Sequence, residues 1–273
     1  MENLQGRFAV VTGGGSGIGA AVARELARRG VAVVVADVED RALAVAEEIA
    51  EIGDRAIGVL CDVRDASSLV AAREVALTEF GRVDILVNNA GVLSLGNPED
   101  LPLEEWERLV EVNLLGVVRG VHAFLPHFLA QGQGHIVNTA SVAGLFPYSP
   151  DMLPYSVTKA GVLALSEGLA LSADPRGVGV TCLCPAGVAP TRIGESAIPF
   201  TEALQLHTPP LDRVSPEEVG VLVADAIVPG RFLLVTDPRA AEFAARHGAD
   251  VDGFLAEVAA QLRAGDTGNT PSI

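Results

Sequence analysis

Tyr155 and Lys159 stand four residues apart, the spacing that puts two side chains on one face of a helix. A phenol with its ordinary pKa of about 10 is a poor base at neutral pH. An ammonium beside it stabilises the phenolate and lowers that pKa, so the pair is a candidate for moving a proton at a substrate hydroxyl. Upstream, Thr12-Gly13-Gly14-Gly15-Ser16-Gly17-Ile18-Gly19 follows a β-branched apolar run and opens a helical pattern. Glycines there let the backbone turn sharply and approach a pyrophosphate seated on the helix N-terminus. No lysine follows the last glycine, which argues against a nucleoside-triphosphate loop. At the end of the next apolar run, Asp37 can accept hydrogen bonds from both adenine-ribose hydroxyls and would repel a 2′-phosphate. Glu39 and Asp40 add negative charge, and Arg41 reads as a solvated residue of a helix first turn. NAD is therefore favoured over NADP.

These residues need a scaffold, and the hydrophobic periods supply one. Short apolar runs at 7–12, 31–37, 56–61, 83–87, 134–139, 179–184 and 231–236 read as strands buried on both faces. Helical patterns at 18–29, 41–52, 67–80, 103–130, 155–172 and 238–262 lie between or after them, the fourth bent or ended near Pro126. A further helix starts at Ser215-Pro216-Glu217-Glu218, with serine as cap and proline in the first turn. Strands alternating with helices predict an α/β fold: one Rossmann-type domain over 1–262, with a seven-stranded parallel sheet wound by right-handed crossovers. Residues 263–273 read as a loose tail.

Over 273 residues the chain carries 19 Lys and Arg against 35 Asp and Glu, a formal charge of −16. Such a surface repels phosphate backbones and argues against a nucleic-acid partner. Cys61, Cys182 and Cys184 are too few for a disulfide framework, and the latter two would share one strand face as core thiols. No Cys or His cluster has zinc spacing, so no metal is expected. The N-terminus lacks the pattern of a signal peptide, and no run approaches the roughly 20 apolar residues of a membrane helix. A soluble, cytoplasmic protein is the expectation.

The motifs together resemble the classical short-chain dehydrogenase/reductases, over residues 6–235. The match rests on the glycine turn, Asn88-Asn89-Ala90-Gly91, Asn113, Ser141 and Tyr155-Ser-Val-Thr-Lys159. The resemblance implies that Tyr155 exchanges the proton of the substrate hydroxyl, and that Lys159 tunes it and holds the nicotinamide ribose. Ser141 would hydrogen-bond the substrate oxygen, and Asn113 would position a water behind Lys159. Gly13, Gly15, Ser16, Gly17, Ile18 and Gly19 would carry the cofactor phosphates. Asn89, Ala90 and Gly91 would lie against its adenine side, with Asp62 and Val63 contacting adenine. Pro185, Val188 and Thr191 would stand near the nicotinamide amide. Family analogy also implies a homodimer or homotetramer through the fourth and fifth helical patterns.

Two departures from the family pattern fall near the reacting carbon. Ser141 and Tyr155 are fourteen residues apart where thirteen is usual, and Pro185-Ala186-Gly187 replaces Pro-Gly, one residue longer before Thr191. A substrate-covering segment at about 189–213 mixes apolar Ile193, Ile198, Phe200, Leu204 and Leu206 with Glu195, Glu202 and His207. It lacks Lys or Arg between 193 and 211, which does not suit an anionic substrate. Leu145, Phe146, Met152 and Leu153 are the expected apolar walls, and Tyr148 is either a further wall or plain packing. The expected substrate is an apolar, bulky or aromatic secondary alcohol or its ketone. The alternatives are an NADPH-preferring carbonyl reductase, which Asp37 argues against, and a dinucleotide-binding regulator without turnover, which the intact set Asn113, Ser141, Tyr155 and Lys159 argues against.

Overall fold

Val33, Val34, Val35 and Ala36 of the second strand are all buried, because the strand is covered on both sides. Successive side chains point to opposite faces, and the core divides accordingly. Ala9, Val11, Val33 and Val35 join one apolar cluster, while Val10, Val34 and Ala36 join another. A computed structural model describes residues 3–53, 55–194, 197–201 and 207–265.

The elements run β1 (Phe8–Thr12), α1 (Gly17–Arg28), β2 (Ala32–Asp37), α2 (Arg41–Glu51), β3 (Ala56–Leu60), α3 (Ala66–Phe80) and β4 (Ile85–Asn88). After them come β5 (Ser94–Leu95), α4 (Leu103–Leu109), α5 (Gly116–Gln131), β6 (Gly134–Thr139), α6 (Leu153–Ala173) and β7 (Val178–Cys184). The chain continues through β8 (Ile198–Pro199), α7 (Pro216–Ile227), β9 (Leu233–Val235), α8 (Arg239–Ala249) and α9 (Val251–Arg263). Seven strands form one parallel sheet in the order β3-β2-β1-β4-β6-β7-β9, the doubly wound architecture expected. Leu26, Ile49, Val223 and Ile227 of α1, α2 and α7 cover one face. Leu69, Phe124, Phe128 and Leu169 of α3, α5 and α6 cover the other.

The strand order reverses between β1 and β4, and open α/β sheets bind ligands in the crevice at such a switch. The turns after β1 and β4 therefore meet at one edge of the sheet. A buried polar ladder joins that centre to α6. Asn88 Nδ2 donates to Asn138 Oδ1 at 2.9 Å, and Asn138 Nδ2 donates to Ser166 Oγ at 3.0 Å. Ser166 lies seven residues after Lys159, on the same helix face, so the ladder fixes the height of α6 on the sheet.

Several elements differ from their sequence patterns. The pattern at 103–130 is one continuous helical path, but a π-helical segment, Val110–Leu115, interrupts its α-helical bonding and Pro126 is carried inside α5 without ending it. Gly132, at φ 68, stops α5 instead. By length and composition Leu103–Gln131 does match a membrane span. Here it packs against α3 and α6 and buries Asn113 at its middle. The pattern at 238–262 is two helices, because Asp250 leaves helical geometry and accepts from Gly253 N at 2.9 Å, capping a new start. The short parallel pair β5–β8, Ser94 with Ile198 and Leu95 with Pro199, has no hydrophobic signature of its own.

Asn138→Ala should lower unfolding free energy by about 2–3 kcal/mol, since it strands buried donors and acceptors on both neighbours. Denaturant melts showing an unchanged midpoint would contradict the ladder's role.

Candidate active site

The glycine turn closes onto the turn after β4. A Cβ on Gly13 would sit 2.7 Å from Ala90 Cα, and one on Gly19 would sit 2.0 Å from the Gly13 oxygen. Gly13 and Gly17 also adopt positive φ, 61° and 49°, which glycine takes without strain. Asn89 locks the two turns: its Nδ2 donates to the carbonyls of Thr12 and Gly13 at 3.3 and 3.2 Å, and its N–H donates to Thr12 Oγ1 at 3.1 Å. Ser16 caps α1 through extended backbone, with no side-chain cap bond. The first turn of α1 holds no carboxylate, so its N–H groups can donate to an anion in the cleft.

That cleft measures about 490 Å³. Gly13, Ser16, Gly17 and Ile18 line it from the first turn, and Asn89, Ala90 and Gly91 line it from the turn after β4. Asp37, Asp62 and Val63 line one end; Ser141, Tyr155, Lys159, Pro185, Val188 and Thr191 line the rest. Three expected residues do not line it. Gly15 sits beneath Asp37, Gly19 packs on Gly13, and Asn113 is fully buried behind the wall.

Tyr155 and Lys159 lie on the buried face of α6, 8% and 2% exposed. Lys159 Nζ donates to the Thr139 carbonyl at 2.8 Å and lies 5.5 Å from the Tyr155 ring centroid. Burial pushes the Tyr155 phenol up to about 12, against which a hydrogen bond with Ser141 acts, and burial pulls the Lys159 ammonium down to about 8. Ser141 caps a 3₁₀ turn, Val142–Gly144, and its Oγ accepts from Ala143 N at 3.1 Å. An added Cβ on Gly144 would come within 2.6 Å of the Lys159 backbone, so that turn lies directly on α6. Asn113 sits in the π-helical segment. Its Oδ1 accepts from Val92 N at 2.8 Å, and its Nδ2 donates to the Val92 carbonyl at 2.9 Å and Thr158 Oγ1 at 3.2 Å. A Cβ on Gly91 would reach Asn113 Oδ1 at 3.4 Å and Lys159 Nζ at 3.5 Å, so Asn113 stands just behind the lysine.

At the other end, Asp37 is held in place: Oδ2 accepts from Gly15 N at 2.9 Å and Oδ1 from Glu39 N at 3.1 Å. Glu39 also binds the nearby cations. The guanidiniums of Arg41, at 2.7 Å, and Arg192, at 3.2 Å, share its Oε2 and hold its carboxyl below the usual range. Asp62 combines two jobs, lining the cleft while its Oδ1 accepts from Arg64 N at 2.9 Å in a turn. Arg64, Arg108, Arg192 and Ile193 also line the cleft, and Thr139 and Thr158 complete the lysine's surroundings. Thr158 lies inside the Tyr155–Lys159 motif and Ile193 in the covering segment; Arg64, Arg108, Thr139 and Arg192 carry no motif of their own, and only the fold brings them in.

The expected apolar walls are placed differently. Of Leu145, Phe146, Met152 and Leu153, none lines this cleft. Met152 packs against Tyr155, Leu145 and Phe146 turn towards α8 and α9, and Leu153 is exposed at 38%. The stretch between Ser141 and Tyr155 carries two short 3₁₀ turns, Val142–Gly144 and Pro150–Met152. Of the covering segment, Glu195, Glu202, Leu204 and Leu206 lie outside the described residues.

A family profile described as short chain dehydrogenase matches residues 7–200. The chain belongs to the short-chain dehydrogenases. It is 40% identical over 226 residues, 82% of this chain and 90% of the relative, to cis-4-hydroxycyclohexanecarboxylate dehydrogenase of Sinomonas cyclohexanicum. It is 36% identical over 228 residues, 82% of this chain and 89% of the relative, to cyclohexanol dehydrogenase of Acinetobacter sp. strain SE19. A solved short-chain dehydrogenase/reductase from Burkholderia phymatum, in complex with NAD, superposes with a TM-score of 0.83 at 34% identity, covering 92% of this chain and 96% of that one. This short-chain dehydrogenase is thus an NAD(P)-dependent oxidoreductase acting on CH–OH groups.

The short-chain dehydrogenase has two tyrosines, Tyr148 and Tyr155, and burial raises both phenols. Folded Tyr155 holds its proton to about 12 where the unfolded chain loses it at 10.0, so stability should fall as pH rises through that window. Alkaline titration of the ligand-free protein should show no phenolate absorbance near pH 10.0. Adding NAD should bring out one tyrosine below that value, missing in Tyr155→Phe. A phenolate appearing near pH 10.0 without NAD would contradict the dry site.

Proposed function

We propose that this short-chain dehydrogenase interconverts a neutral, apolar secondary alcohol and its ketone, with NAD as the preferred cofactor. The observation that carries the reading is the buried pairing of Tyr155 with Lys159 beside Ser141, at the mouth of a cleft that ends at Asp37. The residues fit a nicotinamide dinucleotide. Glycine turn and α1 N-terminus suit the pyrophosphate, and the two Asp37 oxygens suit the ribose hydroxyls. A 2′-phosphate would meet Asp37 directly, while the cations near it, Arg41 and Arg192, are already bound by Glu39. NAD, when bound, supplies the acceptor for a hydride from the alcohol carbon.

The chain's own groups handle the proton. Ser141 Oγ hydrogen-bonds the alcohol oxygen and aims it at the Tyr155 phenol. Tyr155, as phenolate, takes the hydroxyl proton while the carbon gives up hydride, and returns it in the reverse direction. Lys159 stabilises that phenolate through space and is itself oriented by the Thr139 carbonyl. Asn113 holds the backbone at Val92, with Gly91 and Lys159 beside it, and on this reading it positions a water behind the lysine. The ring alcohols named for the two dehydrogenase relatives support a ring-bearing secondary alcohol. Arg108 in the cleft is tied to Glu105 at 2.8 Å, which supports a neutral substrate over an anion. Assembly through α5 and α6 is part of the reading, since Val118, Val157 and Leu171 stand exposed on them.

Turnover of a secondary-alcohol panel should appear with NAD and fall by about 10³-fold in Tyr155→Phe, within the range of general acid–base catalysis. In the same assay Asp37→Ala should raise KM for NAD by about 10–100-fold, the worth of hydrogen bonds to a charged group. Faster wild-type turnover with NADP would overturn the cofactor assignment, and silence with both cofactors the alcohol assignment.

A further inference from the structure

The helical path that carries Asn113 is one residue out of α-helical step. In the π-helical segment Val110–Leu115, the Gly116 N–H donates to the Glu111 carbonyl, five residues back instead of four. Both ends of the segment are fixed. Before it, Leu109 is fully buried in the cluster of Tyr155 and Ala143. After it, a Cβ on Gly116 would sit 2.9 Å from Val63 Cγ2, and one on Gly120 would sit 2.1 Å from Asn88 Oδ1, so α5 cannot turn on the sheet. The extra residue has to be absorbed between these anchors, where Asn113 stands.

Arg119 spans that stretch. Its Nη1 donates to the Glu111 carbonyl at 3.2 Å and its Nη2 to Glu111 Oε2 at 2.7 Å. The two residues are eight apart. In an unbroken α-helix, eight steps of about 100° leave two side chains roughly 80° apart around the axis. One residue inserted by the π-turn returns them to about the 20° offset of an i, i+7 pair, on one face. The grip therefore belongs to the π register, and it lands on the acceptor of the bond that ends the segment. As an ion pair it is 24% and 44% exposed and adds little to stability. Within the segment, Asn113 bonds Val92 through both its amide atoms and donates to Thr158 Oγ1, which itself donates to the Tyr155 carbonyl at 2.8 Å. A return to α register would turn position 113 about 100° off this line.

We propose that Arg119 is a positioning residue for the dehydrogenase reaction: gripping Glu111 across the π-helical segment, it keeps Asn113 in register behind Lys159. The inference rests on the alcohol-dehydrogenase reading and extends its proton side to a residue outside the cleft. Arg119 acts through Asn113, and through it on the backbone at Val92 and on Thr158.

The test measures oxidation of cyclohexanol, or of the fastest alcohol of the panel, in wild type, Arg119→Met, Arg119→Lys, Asn113→Ala and the double variant Arg119→Met/Asn113→Ala. Methionine keeps an apolar stem and removes both donors. Its kcat should fall by about 10–100-fold, the scale of a small misplacement beside the reacting atoms. KM for NAD should stay within about twofold. In the Asn113→Ala background the same change should cost less than about twofold, because two groups acting through one contact do not add. An equal loss in both backgrounds, a loss confined to KM for NAD, or an unchanged kcat would overturn the proposal. Arg119→Lys keeps the charge without the two-pronged grip, so its kcat should fall between wild type and Arg119→Met. That variant carries the test if the methionine variant does not fold, and a wild-type kcat in it would overturn the grip. If wild type oxidises no alcohol with either cofactor, the parent reading fails, and amide hydrogen exchange of the ligand-free protein judges the clasp. Exchange at the Val92 N–H should then quicken by about tenfold or more in Arg119→Met while α3 is unchanged. An unaltered Val92 rate would overturn it.

Discussion

The site depends on keeping one ammonium next to one phenol in a dry place. Desolvation disfavours both charged forms, raising the Tyr155 pKa and lowering that of Lys159. The same low dielectric makes the attraction between phenolate and ammonium far stronger than in water. Nothing is gained from the arrangement unless the pair is held rigidly. The structure supplies that rigidity with the Thr139 carbonyl on Lys159, the 3₁₀ turn of Ser141 packed on α6, and the Asn88–Asn138–Ser166 ladder beneath.

The division of labour across the sheet follows from its topology. On the proposed function, the first three strands and the glycine turn present the helix N-terminus and Asp37 to the adenosine half of a dinucleotide. Across the switch between β1 and β4, the later elements bring Ser141, Tyr155 and Lys159 to the same cleft, where the proposed function puts the nicotinamide half. Asn89 stitches the two halves together by bonding the carbonyls of Thr12 and Gly13. On the proposed function, the place of the hydride acceptor and the proton-accepting phenolate are thereby fixed relative to one another before the alcohol arrives, which is where most of the advantage of an enclosed site lies.

Much of this was legible in the chain. Buried parallel strands must be apolar throughout, so 31–37 announces itself, and glycines crowded at 13–19 have few explanations other than a close approach. What could not be read was long-range. The π-helical segment that turns Asn113 has no pattern distinct from an α-helix, and β5–β8 pair only because the covering segment folds back over the site. Phe146 was expected beside the substrate, yet it packs on Phe243 and Phe254 from helices more than ninety residues away. Arg64, Arg108 and Arg192 reach the cleft from surface-like sequence, and Glu39 and Glu105 balance two of them in ways that spacing alone does not show.

The central claim is that Lys159 makes Tyr155 a base at working pH. The direct measurement is the pH dependence of kcat/KM for alcohol oxidation in wild type and in Lys159→Met. The account predicts a rise on the acid side whose apparent pKa lies well below the 10.0 of an ordinary phenol in wild type, moving upward by more than a unit without the ammonium. An acid limb at the same pH in both proteins would show that the lysine does not set the ionisation of Tyr155, and the proposed mechanism would fall.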